Sequence, residues 1–306
     1  MLAALLGWGL VLSFSPYRSD LYMSLSGSVY VDTYEDDAFW PDVAHQVSGL
    51  SKQIRSADVL LLGSSRTLFG LSAAQLESQL GGSVRVFNLG VGGGEGMLSA
   101  NALVERLDLR GRTLVVNLDN DMLWNAALQR SGHALRMDWF QAATRVYSVR
   151  LRAGMDTWLD RLGLPQLSVG REGLRVGPRE QPRTYRDART GDVLAARARG
   201  APPSEAKPLL PAPSEQALAP EALDRPHVRT ILESWKARGM SFVFLTVPYA
   251  NGGHPSDYNP ALPKAAVERY GGRAVELDWR LVRTEDGIHV DRASRERLSQ
   301  QLARAL

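Results

Sequence analysis

Five short, mainly apolar segments, each stopped by a turn-forming or polar residue, constrain this chain more than any other feature. Ala57–Leu62 stops at Gly63, and Val84–Leu89 runs into glycines. Thr113–Leu118 gives way to Asp119-Asn120-Asp121, Ser241–Val247 is closed by Pro248, and Ala274–Leu277 meets Asp278. Runs apolar at successive rather than alternate positions are strands covered on both faces. Helix patterns stand between them. Ser72-Ala73-Ala74-Gln75 reads as a capping box opening a short helix. Helices are expected over 97–107, over 226–238 with Gly239 as terminator, over 261–270, and over 291–305 with Asp291 as N-cap. Strands alternating with helices make a mostly parallel sheet with helices on both faces.

In such sheets chemistry collects at the carboxyl ends of the strands. The first strand ends in Gly63-Ser64-Ser65-Arg66-Thr67, the second in Asn88-Leu89-Gly90-Val91-Gly92-Gly93-Gly94, and the third in Leu118-Asp119-Asn120-Asp121. Asp286-Gly287-Ile288-His289 stands just before the last helix. These places supply a serine, backbone amides at glycines, a side-chain amide and an Asp/His pair. Those are the parts of serine-based acyl transfer: nucleophile, oxyanion donors, base, and the group that orients the base. Each part alone has an ordinary structural reading as a cap or a tight turn. Their order and shared location distinguish them.

That order, Ser, Gly, Asn, Asp-x-x-His, resembles the SGNH, or GDSL-like, hydrolase superfamily. The resemblance covers roughly 57–123 and 241–306 and not the middle. It implies a flavodoxin-like three-layer α/β sandwich with a sheet of about five strands, plus an insertion. It implies Ser65 as nucleophile, Asp286 and His289 as its catalytic partners, and an oxyanion hole built from Ser65, Gly93 and Asn120. Arg66, Asp121 and His254 are candidate substrate-binding residues. No cofactor and no metal is implied. Ser64 stands where the family has Asp, and Arg66 follows the nucleophile. In this the chain looks like membrane-anchored proteins of bacterial surface-polymer acylation, the D-alanyl transfer and alginate O-acetylation types. Those pair with a membrane-bound O-acyltransferase. The implied substrates are acyl esters of a polysaccharide or glycolipid, with water or a sugar hydroxyl resolving the acyl-enzyme. A catalytically idle scaffold binding an anionic polysaccharide or a partner acyltransferase is the alternative.

Other chemistries are excluded or disfavoured. The chain has no cysteine, hence no thiol nucleophile, thiolate zinc site or disulfide. No histidine pair has the spacing of a helical metal site. The run from Gly90 to Gly96 puts Glu95 where a dinucleotide fingerprint needs its third glycine, and there is no P-loop. Thr67 replaces the last glycine of the α/β-hydrolase elbow.

Residues 1–17 carry no charge and read as a membrane anchor or signal segment; a hydrophobic helix packed in the core is a third reading. We favour the anchor, which would place the protein in the bacterial periplasm or at the cell surface, held in the inner membrane. Residues 18–56 read as a stalk and first helix, 57–124 and 226–306 as the catalytic domain, and 125–225 as an insertion containing a Pro/Ala-rich linker. Residues 137–163 look helical, 164–200 looped with short strands, and 201–225 extended. The net charge of +3 does not point to nucleic acid. It conceals an asymmetry: residues 126–200 hold 14 arginines, no lysine and seven acidic residues, a net of +7. This is either a solvated surface or a docking face for an anionic polymer or lipid.

Overall fold

The computed structural model describes residues 39–91, 96–124, 130–148, 166–170, 173–177, 183–187, 189–196, 219–247, 259, 261–278, 282–283 and 290–306. Its frame is a five-stranded, all-parallel sheet. The strands are β1 (Val59–Leu62), β2 (Val86–Asn88), β3 (Thr113–Asn117), β8 (Ser241–Leu245) and β9 (Arg273–Val275). They lie in the order β2-β1-β3-β8-β9. Taken in chain order this is the 2-1-3-4-5 arrangement of flavodoxin-like sheets. Each strand is shorter than the run that announces it, and β9 begins one residue earlier, at Arg273.

Side-chain alternation sorts the apolar runs into two cores. Leu60 and Leu62 face one side with Phe87, Leu114, Val116, Phe242 and Phe244. Helices α1 (Phe39–His45), α2 (Leu50–Ser56), α5 (Gly96–Arg106), α9 (Pro226–Ala237) and α10 (Ala261–Tyr270) supply residues to that core. Val59 and Leu61 face the other side with Val115, Val243 and Leu245, under α4 (Ala73–Gln79) and α11 (Arg292–Ala303). Trp235 of α9 is fully buried, and its indole N–H donates to Asn101 Oδ1 at 2.9 Å.

Several local signals act as the sequence implies. Asp291 caps α11, accepting from Ser294 N–H at 2.7 Å. Gly239 ends α9 at φ +73°, a left-handed conformation that costs glycine nothing. The capping box at Ser72 is half formed. Ser72 Oγ accepts from Gln75 N–H at 3.2 Å, but Ser72 N–H donates to Ser299 Oγ of α11 at 2.9 Å instead of to Gln75. Tertiary packing has replaced the reciprocal bond.

Two segments differ in detail from the expectation. Within 18–56, residues 39–56 form two helices rather than one, and Phe39, Trp40, Val43, Leu50 and Ile54 are core residues. Residues 220–224 form a 3₁₀ turn with Leu223 fully buried, so the end of the Pro/Ala-rich stretch is not extended. The rest of that stretch, 201–218, and residues 1–38 lie outside the described residues.

The middle of the chain contains α6 (Asn120–Trp124), α7 (Arg130–Arg136), a helix α8 over 139–148, and two antiparallel hairpins. The hairpins are β4 (Gln166–Gly170) with β5 (Gly173–Gly177), and β6 (Arg183–Arg186) with β7 (Val193–Ala196). The second hairpin's turn docks on the sheet. Thr190 C=O accepts from Asn88 N–H at 2.7 Å, extending the outer edge of β2. Asp192, 2% exposed, accepts from Ser72 Oγ at 2.9 Å and from the N–H groups of Ala73 and Ala74 at 2.7 and 2.9 Å. It thus satisfies the orphan donors at the start of α4. Arg189 pairs with Glu77, whose other oxygen accepts from Val86 N–H at 3.0 Å.

Candidate active site

The chain runs from β1 outward to β2 and then back past β1 to β3. Neighbouring crossovers therefore leave on opposite faces, and a crevice opens beyond the carboxyl ends of β1 and β3. Both strands end there in polar residues. Gly63 follows β1, and a methyl group on it would collide with Thr67 Oγ1 and stand 2.8 Å from Asn117 Cβ of β3. Only glycine permits the two strand ends to approach this closely.

Ser64 is the N-cap of α3 (Ser65–Gly70) and accepts from Arg66 N–H at 3.2 Å. Its hydroxyl donates to Asp119 Oδ2 at 2.6 Å, so the residues after β1 and after β3 are joined directly. Ser65 is the first residue of α3 and is partly exposed. Backbone N–H groups in a first helical turn have no carbonyl behind them within the helix. On the β3 side, Asn120 opens α6 and is partly exposed, and Asp121 beside it is exposed. The ends of β1 and β3 therefore carry a partly exposed serine and a partly exposed asparagine at the starts of neighbouring helices.

Asp119 organises this arrangement from below. It is fully buried and accepts from Ser64 Oγ, from Asn117 Nδ2 at 2.6 Å, and from Met122 N–H at 2.8 Å. Asn117 Oδ1 in turn accepts from Val247 N–H at 2.8 Å, which ties the end of β8 into the same network. Burial pushes the Asp119 carboxyl up to about 6. The Arg66 guanidinium and the Ser64 hydroxyl oppose that rise, Asp121 adds to it, and the Met122 N–H opposes it.

Asn88 plays the matching part at the end of β2. Fully buried, it donates to the C=O groups of Thr67, Leu68 and Leu71, the last at 3.0 Å, and its Oδ1 accepts from Gly90 N–H at 2.9 Å. It fastens the carbonyl end of α3 to the loop after β2. A methyl on Gly90 would stand 2.5 Å from Leu68 N, so that loop lies hard against α3.

Of the residues singled out in the sequence, Ser65, Arg66, Asn120 and Asp121 stand at the starts of the helices that follow the paired strands β1 and β3. Gly93, His254, Asp286 and His289 lie outside the described residues. Val290 and Asp291, which follow His289, stand at the start of α11, and Val290 packs in the same core as Leu71 just past α3. Sequence reasoning gave Asp119, Asn117 and Asn88 no structural part. A carboxylate placed directly after a fully apolar strand was the available signal, since such a group must find donors.

Among the described residues no group of three His, Asp or Glu side chains is placed to hold a metal, and no helix is long and apolar enough to cross a membrane. No family model, no curated protein and no solved structure matches this chain.

Proposed function

We propose that this protein is a serine-dependent SGNH-like esterase or O-acyltransferase, acting on O-acyl esters of an extracytoplasmic polysaccharide or glycolipid. The supporting observation is the juxtaposition of Ser65 at the start of α3 and Asn120 at the start of α6, on strand ends joined by the Ser64–Asp119 hydrogen bond.

In the proposed reaction Ser65 Oγ attacks the ester carbonyl as its proton passes to His289, whose imidazole Asp286 orients. The C–O bond to the leaving alcohol breaks, and His289 returns the proton to that alcohol. Ser65 N–H, Gly93 N–H and the Asn120 amide donate to the tetrahedral oxyanion, each donor contributing roughly 3 kcal/mol in such sites. Water resolves the acyl-enzyme in an esterase, and a sugar hydroxyl resolves it in a transferase. Residues 1–17 anchor the protein on the outer side of the inner membrane, where a membrane-bound O-acyltransferase is the proposed partner.

The deciding experiment compares Ser65→Ala with the parent on p-nitrophenyl acetate and on a fluorophosphonate label. Loss of both turnover and labelling is expected. Equal activity in the two proteins removes Ser65 as nucleophile. Incubation with acyl donor and candidate polysaccharide then separates transfer from hydrolysis.

A further inference from the structure

Helix α8 leaves part of its apolar arc uncovered. Its start is fixed by a reciprocal capping box: Gln141 N–H donates to Asp138 Oδ1 at 2.8 Å, and Asp138 N–H donates to Gln141 Oε1 at 3.1 Å. At about 100° per residue, Ala142, Ala143 and Val146 form one face. All three are buried, and Val146 belongs to the same core as Trp235. Phe140 and Tyr147 fall roughly 20° apart on the flank of that face, with Trp139 in the first turn. Trp139, Phe140 and Tyr147 are 57%, 72% and 50% exposed. They are the large apolar side chains that the described surface exposes, and all sit on this one helix. Gln141, Thr144, Arg145 and Ser148 complete its exposed arc. Scattered single apolar residues are ordinary on a surface, but a cluster marks a contact.

The chemistry and position of the cluster fit an anionic bilayer surface. Trp and Tyr settle at headgroup level, and an in-plane helix carries cationic residues beside its apolar face. The segment 126–200 that contains α8 has a net charge of +7, all of it from arginine. Such charge draws a protein to anionic lipid. The tether also leads here. Helix α1, where the described chain begins, is joined to α7 by a 2.8 Å hydrogen bond between His45 Nε2 and Ala134 C=O, and α7 runs directly into α8. Residues 18–38 reach at most roughly 70 Å when fully extended. An anchor at residues 1–17 would therefore enter the domain at α1, next to the elements that lead into α8, and keep them within reach of the bilayer.

We propose that α8 is a second membrane contact, lying in the headgroup layer through Trp139, Phe140 and Tyr147 and fixing the orientation of the crevice over an anionic membrane. The proposal rests on the reading of residues 1–17 as an anchor. The absence of native cysteine makes a single introduced thiol a unique label. The full chain carrying Phe140→Cys, labelled with an environment-sensitive fluorophore, is mixed with phosphatidylcholine vesicles with and without phosphatidylglycerol. A second protein carries the label at Lys264→Cys, an exposed position on α10. Flotation reports whether the chain is bound at all, and quenching by headgroup-proximal spin-labelled lipid reports local contact.

The expected result is flotation, with a blue shift and quenching at position 140, stronger with phosphatidylglycerol, and neither at 264. Adding Trp139→Ala and Tyr147→Ala, which leave the capping box and buried face intact, should abolish the signal at 140 without abolishing flotation. A chain that floats while position 140 behaves like 264 overturns the α8 contact and leaves the anchor standing. A chain that does not float overturns both. A blue shift at 140 that grows with protein concentration in the absence of lipid overturns the membrane contact in favour of self-association.

Discussion

Asp119→Asn isolates the buried carboxyl beneath the crevice. In the folded chain that carboxyl titrates at about 6, against 3.8 for an unperturbed Asp. At about 1.36 kcal/mol per pH unit, the difference corresponds to about 3 kcal/mol. The raised value means that between these two pH values the folded chain holds a proton the unfolded chain has released. Stability therefore falls as pH rises through the window, by about 1.4 kcal/mol per unit at its steepest. Below the window both states are protonated and the penalty is absent; above it both are ionised and the penalty is complete. Asparagine has no such titration. The free energy of urea unfolding, parent minus variant, is expected to drop by about 2 kcal/mol between pH 4 and pH 7. Other titrating groups cancel in the subtraction, and hydrogen-bond losses appear as an offset rather than a slope. Buried Trp235 provides the fluorescence probe. A flat difference across the window would refute the argument that burial dominates this carboxyl. Exchanging the pair, Asn117→Asp with Asp119→Asn, again sets an acceptor against a donor between positions 117 and 119, though not for Ser64, and should recover part of the offset.

The remaining predictions concern the oxyanion donor, the docked hairpin and the strand ends. Asn120→Ala should lower kcat on p-nitrophenyl acetate by roughly 10²–10³-fold with KM little changed; an unchanged kcat would remove its amide from the oxyanion site. Asp192→Ala strips the acceptor from three donors at the start of α4 and should cost about 2–4 kcal/mol in urea denaturation. A loss below about 1 kcal/mol would mean the hairpin contributes little to holding α4. Gly63→Ala forces apart the ends of β1 and β3 and should cost more than about 2 kcal/mol, read as a lowered thermal midpoint. A neutral outcome would show that the strand ends can separate without strain.

The sheet was legible because its central strands are covered on both faces and so are apolar at successive positions; β1, β3 and β8 announce themselves by runs such as Val59–Leu62. The same saturation hid which side chain faces which layer, since that follows only from pairing. Ser65 and Asn120 were singled out because turn residues after strands are few and fall in order. Asp119 was passed over beside them, since its importance comes from donors contributed by residues 64 and 122 and from Asn117. Within the stretch read as a stalk and a first helix, the division of 39–56 into two helices was not legible. In the fold Asp42 is fully buried and accepts from Ser48 N–H and Ser48 Oγ at 2.8 and 2.6 Å, so a polar residue there is compatible with the core. The clasp of Asp192 on α4 joins residues 120 positions apart, beyond the reach of any local pattern.

That clasp also bears on how the protein is made. A chain emerges from the ribosome amino terminus first and tends to fold as it emerges. Strands β1, β2 and β3 come out early, yet the outer edge of β2 and the start of α4 are completed only when residues 190 and 192 follow. The inner edge of β3 stays open longer still, until β8 arrives to pair with it. For much of its synthesis the nascent protein therefore carries a three-stranded sheet with both edges exposed, a state prone to strand addition. Holding that intermediate apart from its neighbours is a task for chaperones during translation, and hairpin variants such as Asp192→Ala would prolong it.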